Sequence, residues 1–396
     1  MFQKVKNIYH LFIAFFANIF FLFPGRNLTV IGVTGTDGKT TTANIIHTIL
    51  VESGQKVAII SSLGAQIDKD HFDIGFHVTT PSPFALQKLI FLAKRKNAKY
   101  FILEVTSHAI DQKRIWGIPF KIGVLTNVTY EHLDYHKTYD SYFKAKTKLL
   151  RDAKTAIVNR DDGTYTFLVD IKRAKDPKNW ITYGLSDSSD INPGTFPFKT
   201  KLIGDFNKYN ILAAISVCKT LGISDEKIRS SVSKYINPIG RADIVHTSDF
   251  TVIVDFAHTP NAFEQILKTV RPLFSGRLIH VFGSAGKRDS SKRPMMGEIS
   301  SQYSDIMILT AEDPRGEDVG KIMDEIADGV KKEKSQIIKI PERYEAIEAA
   351  INMAKKDDVV LITGKAHEKS MNIKGQEEVW DEYEVINKAL SSRFKK

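Results

Sequence analysis

The chain has 396 residues and a mass of 44.6 kDa. With 42% hydrophobic and 26% charged residues, 24 glycines and 13 prolines, it excludes a mini-protein, a collagen-like repeat, a coiled coil and a disordered chain, and at roughly 100 to 200 residues per domain it has room for two or three domains. Fifty-six Lys and Arg against 46 Asp and Glu give a net charge of +10, which suits anionic partners, but the basic residues follow no Arg-rich or aromatic RNA-binding pattern and nucleic acid is not expected.

The first predicted element is apolar. Residues Ile8 to Phe23 (IYHLFIAFFANIFFLF) follow Lys4 and Lys6 and close at Pro24-Gly25. The run is about 16 residues, short of the roughly 20 that a helix needs to cross a bilayer core. No small-residue cleavage site follows, which speaks against a signal peptide. Two readings stand: a helix lying on a membrane surface through its Phe-rich bulk, and a helix buried in the protein or against another copy.

From Leu28 onward, short apolar runs alternate with helical stretches, the pattern of βαβ units around a parallel sheet. Predicted strands run from Leu28 to Val33, Lys56 to Ile60, Tyr100 to Leu103, Ile122 to Leu125 and Thr155 to Val158. The turn-rich stretch Leu185 to Pro197 reads as a surface loop, and the single cysteine, Cys218, falls in an apolar run as a buried core thiol. Tyr235-Ile-Asn-Pro-Ile-Gly-Arg241 has linker character. Beyond it a second series of strands, Thr251 to Val254, Arg277 to Phe282, Asp305 to Leu309, Gln336 to Ile340 and Asp358 to Ile362, alternates with helical segments at Asn261 to Val270, Asp318 to Lys331 and Glu342 to Lys355. The expectation is an α/β chain: a short apolar N-terminal helix within 1–27, a central P-loop domain with a mostly parallel sheet over 28–238, and a C-terminal Rossmann-like α/β domain over 239–396. In such sheets ligands bind beyond the carboxyl ends of the strands, where glycines and polar residues collect in both series, as at two faces closing on one cleft.

The strongest motif is Val30-Ile-Gly-Val-Thr-Gly35-Thr-Asp-Gly38-Lys39-Thr40-Thr41. An apolar strand, a glycine turn and a helix start let backbone N–H groups wrap phosphate oxygens, with Lys39 as a counter-charge and the Thr40 hydroxyl as a Mg²⁺ ligand. The form is GxxGKT, since the first glycine of the longer P-loop pattern falls on Val33. Next comes Glu104-Val-Thr-Ser107-His108-Ala-Ile-Asp-Gln112-Lys-Arg114, where Glu104 reads as a Mg²⁺ ligand or a helix-capping carboxylate. In Asn127-Val-Thr-Tyr-Glu131-His132-Leu-Asp134-Tyr-His136, two histidines at i and i+4 would share a helical face and admit a zinc reading. The basic helix Tyr142-Phe-Lys-Ala-Lys146-Thr-Lys148 would by default be solvated, and spacing alone does not select Lys146.

Together these residues resemble the Mur ligase family, in the branch that adds the third residue of the peptidoglycan stem peptide. The likeness runs from about Pro24 through Glu368 and rests on many motifs in order: GVTGTDGKTTT, HVTTPS (His77 to Ser82), EVTSHAIDQKR, TNVTYEHLDYH, YFKAK, VNRDD (Val158 to Asp162), GDFNKYN (Gly204 to Asn210), GR (Gly240-Arg241), VDFAHTP (Val254 to Pro260), FGSAGKRDSSKRP (Phe282 to Pro294), EDPR and GKAHE.

The resemblance implies an ATP-dependent acid:amino-acid ligase. Thr40, Glu104 and His132 would hold Mg²⁺, and Lys39 would neutralise charge while a substrate carboxylate attacks the γ-phosphate to give an acyl phosphate. Lys146 would be carbamylated. Gly35, Thr36, Asp37, Gly38, Lys39, Thr40, Thr41, Asn210, Arg241, Asp255 and His258 would contact ATP. Thr79, Thr80, Ser107, Gln112 and Arg114 would hold the muramoyl dipeptide. Arg288, Asp313, Arg315, Gly364 and Glu368 would hold the incoming amino acid. Arg315 favours a substrate with a distal carboxylate, while Asp313 stands where the diaminopimelate pattern DNPR has an amide and should repel one. Diaminopimelate is expected ahead of lysine or ornithine. Glu131 for Asp, Phe256 for Tyr and Ala366 for Gly are further departures.

Family members also carry an N-terminal domain that grips uridine diphosphate, whereas about 27 residues precede the first strand here. The acceptor's handle is therefore expected to be held by a partner chain, or the acceptor to be lipid-linked or recognised by its muramoyl peptide alone, with residues 8–23 placing the enzyme at the inner face of the membrane. The expected location is otherwise cytoplasmic. Competing readings are a poly-amino-acid or folate-polyglutamate type ligase, an inactive nucleotide-binding scaffold and a zinc hydrolase.

Overall fold

A computed structural model describes residues 2–75, 78–173, 179–331 and 335–394. His77, which opens the HVTTPS motif, lies outside the described residues. The chain divides into two compact units, Met1–Thr129 with His136–Ile236, and Tyr130–Tyr135 with Asn237–Lys396.

The first unit is built on eight strands: β1 Thr29–Thr34, β2 Val57–Ser61, β3 Gly64–Ile67, β4 Asp70–Phe72, β5 Tyr100–Glu104, β6 Phe120–Leu125, β7 Thr155–Asn159 and β8 Asn179–Tyr183. Their order is β4-β3-β2-β5-β1-β6-β7-β8, with β3 and β4 antiparallel additions to an otherwise parallel sheet. Interior strands such as VIGV and YFIL are apolar on both faces because helices cover both. Alternation decides which core each residue joins: Ile31 and Val33 pack with the helices Lys39–Glu52 and Asp205–Thr220, whereas Val30 packs with the helix Pro83–Arg95. Cys218 is in the first of these cores, and burial pushes its thiol pKa up, so it is no thiolate nucleophile.

The sheet order matters for function. β1 lies between β5 and β6, and the chain fills one half of the sheet before crossing to the other. The carboxyl ends of β5, β1 and β6 therefore flank a topological switch point, where parallel sheets leave a crevice.

The second unit carries β9 Asp243–Thr247, β10 Thr251–Asp255, β11 Leu278–Phe282, β12 Ile306–Leu309, β13 Gln336–Lys339 and β14 Val359–Thr363 in the order β13-β12-β11-β14-β10-β9. Only β9 runs antiparallel. The hairpin β15 Ser370–Ile373 and β16 Gln376–Val379 follows. Sequence reading missed β3, β4, β8, β9, β15 and β16. All are short, and most are edge or hairpin strands whose half-exposed residues show no continuous apolar run.

The N-terminal helix spans Phe2–Phe20 and is longer than the apolar run suggested. It ends where Leu22 and Phe23 take positive φ and Phe23 N donates to Asn18 O at 2.7 Å, the left-handed reversal typical of helix C-termini. Ala14, Ala17 and Asn18 face inward, and Asn18 Nδ2 donates to Trp116 O at 3.0 Å. Among the described residues no helix is long and apolar enough to cross a membrane.

Candidate functional site

The turn after β1 is shaped by two glycines. Gly35 has φ +152°, and a Cβ there would lie 1.8 Å from Thr126 Oγ1; Gly38 has φ +78°, and a Cβ there would lie 2.2 Å from Asn210 Oδ1. Any side chain would drive the loop off its neighbours. The segment after β6 holds the loop in shape. Asp37 N donates to Asn127 Oδ1 at 2.9 Å, and Thr126 Oγ1 and Asn127 Nδ2 donate to Asp37 O at 2.6 and 3.1 Å. Lys39 begins the following helix and donates from Nζ to Thr36 O at 2.8 Å, beside the N–H groups of the first helical turn. Thr41 is buried in the same turn, and Asn210 is buried on the helix Asp205–Thr220, where its Oδ1 accepts from Thr42 Oγ1 at 3.3 Å.

Glu104 ends β5, the neighbour of β1, and is buried. Its Oε2 accepts from Thr40 Oγ1 at 3.0 Å and from Ser62 N at 3.1 Å. The cap of the following helix, Ser107–Asp111, is Thr106, whose side chain accepts from Ala109 N. The helix-capping alternative for Glu104 therefore falls away. Thr40 and Glu104 place hydroxyl and carboxylate oxygens side by side, with Ser62 Oγ 3.0 Å from Thr40 Oγ1. Hard oxygens of this kind fit Mg²⁺.

Of the three lysines at 144, 146 and 148, only Lys146 is buried. The helix Tyr139–Asp152 turns it toward the phosphate loop, where Nζ donates to Gly35 O at 2.5 Å and lies 4.5 Å from the centre of the Tyr142 ring. Tyr142 OH in turn meets Thr36 Oγ1 at 3.0 Å.

A second group of expected residues adjoins Glu104. Buried Thr80 donates from Oγ1 to Glu104 O at 3.0 Å, and Arg114 donates from Nη1 to Thr80 O at 3.0 Å and from Nε to Gln112 Oε1 at 2.8 Å. Ser107 Oγ hydrogen-bonds His136 Nε2 at 3.0 Å. Thr79 is half-buried next to Thr80.

His132 departs from expectation. The helix is only Leu133–His136, and His132 precedes it with φ +58°, so His132 and His136 do not share a helical face. A non-glycine residue in the left-handed region ends helical phase at that point. His132 belongs to the stretch Tyr130–Tyr135, which clusters with the second unit. There Lys292 Nζ approaches Glu131 Oε1 at 3.3 Å and donates to His258 O at 2.8 Å, and Leu133 N donates to Asp289 Oδ2 at 3.3 Å. Among the described residues no three of His, Cys, Asp and Glu gather into a metal cluster.

At the carboxyl end of β10, Asp255 accepts from Ala242 N and Ala257 N, both at 2.7 Å, which folds the Arg241 turn against the strand. Arg241 lies 4.6 Å over the Phe256 ring, and His258 and His367 pack on the same ring at 4.8 and 4.7 Å. Burial, then the Arg241 charge, lowers His367 to about 3, so it is neutral.

The remaining expected residues lie on loops after β11, β12 and β14. Asp313 Oδ1 accepts from Lys365 Nζ at 2.7 Å and from Asn372 N at 3.0 Å, and Asp313 Oδ2 is 3.3 Å from Arg315 Nη2. Lys365 is fully buried and also donates to Glu368 Oε2 at 2.6 Å. Asp313 thus shares its charge with two internal cations, Lys365 and Arg315. Lys365 was missed by the sequence reading; its one signal is a lysine directly after an apolar strand, VVLITGK. Arg288 is exposed. Desolvation, then the Arg315 charge, holds its guanidinium below its ordinary pKa, with Asp134, Asp313 and Glu131 acting the other way. Gly364 has φ +107° and follows β14.

Two buried arginines set these loops. Arg293 binds Glu317 and Glu325 and donates to Ala285 O at 3.2 Å; its hydrogen bond lowers Glu317 to about 2. Arg343 pairs with Glu382 and donates to Thr363 O at 2.8 Å and Ala311 O at 3.3 Å. Between these carbonyls and Gly364, Glu312 is buried, and desolvation first of all raises its pKa to about 8. Ala366 adopts φ +43°, a conformation in which glycine is unstrained.

Comparison with known proteins adds to this geometry. A family model described as the Mur ligase middle domain matches residues 33–218, and one described as the Mur ligase, glutamate ligase domain, matches residues 240–366. The UDP-N-acetylmuramoyl-L-alanyl-D-glutamate–2,6-diaminopimelate ligase of Aquifex aeolicus is 38% identical over 392 residues, covering 94% of this chain and 80% of that protein. Ligase 1 of the same name from Clostridium acetobutylicum is 38% identical over 396 residues with the same coverage, 94% and 80%. A solved structure of a ligase of that name is 28% identical with a TM-score of 0.62, covering 93% of this chain and 79% of the other. The bifunctional folylpolyglutamate synthase/dihydrofolate synthase of Yersinia pestis shares the fold, with a TM-score of 0.71 at 19% identity over 89% of this chain and 90% of the other.

Proposed function

This chain belongs to the Mur ligase family, and from that we infer that it is an ATP-dependent ligase joining diaminopimelate, ahead of lysine or ornithine, to a muramoyl dipeptide in peptidoglycan synthesis. The observation that carries the chemistry is the Thr40–Glu104 hydrogen bond at 3.0 Å, between the phosphate loop after β1 and the end of the adjacent β5. It sets two hard oxygen donors at the mouth of an anion-binding helix terminus.

In this reading Gly35, Thr36, Asp37, Gly38 and Thr41 shape the cradle for the ATP phosphates, whose oxygens meet backbone N–H groups at the start of the helix Lys39–Glu52. Lys39 leaves Thr36 O to face the γ-phosphate. Thr40 and Glu104 would hold Mg²⁺, with His132 as a further proposed ligand, and the ion would neutralise charge on the phosphate oxygens. Asn210, Arg241, Asp255 and His258 contact the nucleotide; Arg241 and the Phe256 ring offer a planar cation and an aromatic face for a base. Thr79, Thr80, Ser107, Gln112 and Arg114 orient the dipeptide so that one carboxylate oxygen attacks the γ-phosphorus, the bond to ADP breaks, and an acyl phosphate forms. The amine of the incoming amino acid then adds to the acyl carbon, and collapse of the tetrahedral intermediate releases phosphate. Holding the two reactants in line supplies most of the acceleration in such transfers. Lys146 is proposed to act as a carbamate: its amine is buried beside Gly35 O and the Tyr142 ring, where a new carboxylate would face the phosphate-loop site.

For the amino acid, Arg288 and Arg315 meet the distal carboxylate, and Asp313, Gly364 and Glu368 complete the pocket, with Lys365 balancing Asp313. The test is phosphate release from ATP with UDP-muramoyl dipeptide, screened against diaminopimelate, lysine, ornithine and no amino acid. Stimulation is expected to be strongest with diaminopimelate; absence of stimulation by every pair refutes the acceptor assignment.

A further inference from the structure

We propose that the outward face of the N-terminal helix, extended by Phe84 and Trp116, is a docking surface for an anionic lipid bilayer. The helix Phe2–Phe20 is packed the opposite way from an ordinary amphipathic helix. Its small residues, Ala14 and Ala17, face the protein, while Phe12, Phe16 and Phe20 are 58%, 64% and 70% exposed. These three recur every four residues and so form one stripe, continued by exposed Val5 and Tyr9. The stripe does not end with the helix. Phe20 meets Phe84 with ring centres 5.7 Å apart, and Phe15 meets Trp116 at 5.8 Å, and both partners are themselves exposed. The result is a contiguous aromatic patch, on a helix held in place by the Asn18 bond to Trp116 O at 3.0 Å.

Charge selects the occupant. The segments that build the patch are residues 2–26, 83–99 and 111–121, which together contain eleven Lys and Arg and one acid, Asp111. Lys96 pairs with Asp70 at 2.9 Å and Arg114 turns to Thr80 O and Gln112, so with Asp70 counted the surplus is nine positive charges. Asp111 itself accepts from Asn7 Nδ2 at 3.2 Å. A second copy seated by two-fold symmetry would bring this cationic surround against itself. A bilayer with anionic headgroups offers both what the rings need and what the cations need: aromatic side chains enter the boundary between headgroups and acyl chains while Lys and Arg stay among the phosphates. No described helix is suited to cross the bilayer, so the helix lies along the surface.

The experiment uses the full chain in co-flotation with phosphatidylcholine vesicles, with and without phosphatidylglycerol. The expected result is flotation with the anionic vesicles that weakens as salt is raised. Phe12→Ser combined with Phe16→Ser and Phe20→Ser should lower binding at least tenfold, as should Lys6→Glu with Lys88→Glu, each with an unchanged unfolding midpoint and unchanged ligase turnover in vesicle-free solution. Equal flotation with neutral vesicles, or wild-type flotation by the serine variant, overturns the proposal. So does a dimer seen by light scattering that the serine variant abolishes, with no vesicle binding by the parent chain.

Discussion

Replacing Lys365 by Met tests whether the amino-acid loops are held by charge compensation. Lys365 is fully buried and bridges Asp313 at 2.7 Å and Glu368 at 2.6 Å. At an effective dielectric constant of about 20 the attraction to Asp313 alone is about 6 kcal/mol before desolvation is counted. Removing one partner of a buried pair costs about 3–5 kcal/mol, because the other charge is left without compensation. For a unit of this size each kcal/mol shifts the midpoint by about 2–4 °C, so the unfolding transition of the second unit should fall by roughly 6–20 °C in calorimetry. Adding Asp313→Asn removes a carboxylate then left paired with Arg315 and should restore at least half of the loss, a coupling that a double-mutant cycle reads directly. In the phosphate-release assay the KM for diaminopimelate should rise roughly tenfold, equivalent to about 1.4 kcal/mol, while lysine gains ground. A midpoint within about 2 °C of the parent, or strictly additive losses, would refute the reasoning.

Other substitutions probe the remaining parts of the site. Thr40→Val keeps the shape but removes the donor to buried Glu104, at a cost of about 1–3 kcal/mol in stability; turnover should fall at least a hundredfold and the Mg²⁺ requirement rise, and unaltered Mg²⁺ dependence counts against the assigned ligands. Lys146→Ala should abolish turnover, with partial recovery in added short carboxylates; unimpaired turnover without them removes the carbamate. Glu312 has a folded pKa of about 8 against 4.5 ordinarily. The folded chain therefore keeps a proton that the unfolded chain releases, and this contribution to stability is complete below about pH 4.5 and lost as pH rises towards about 8. Glu312→Gln should flatten the decline in melting temperature across that window; an unchanged slope shows that Glu312 does not titrate there.

Much of this was legible in linear order. The alternation of apolar runs with helical stretches anticipates both parallel sheets, because strands covered on two faces must be apolar throughout. The glycines at 35 and 38 mark the turn after β1 because only a residue without Cβ clears Thr126 and Asn210. The short strands escaped because a half-exposed run of three to five residues leaves no clear period. The paired-histidine reading failed because the helix starts only at Leu133, and spacing carries meaning only where the backbone is helical.

Local composition and the order of motifs thus determined the fold class, the glycine turn after β1 and the family, since each is written in short runs of the chain and their succession. Only tertiary structure set Lys365 against Asp313; for Lys146 and for Glu104 with Thr40, which the resemblance had already marked, it added the burial and the contacts that the spacing of residues does not show. It also brought Phe15 against Trp116 and Phe20 against Phe84, rings that lie far apart in the sequence. The reason is physical: burial and charge compensation depend on distance through space, and packing determines that distance however far apart two residues lie along the chain.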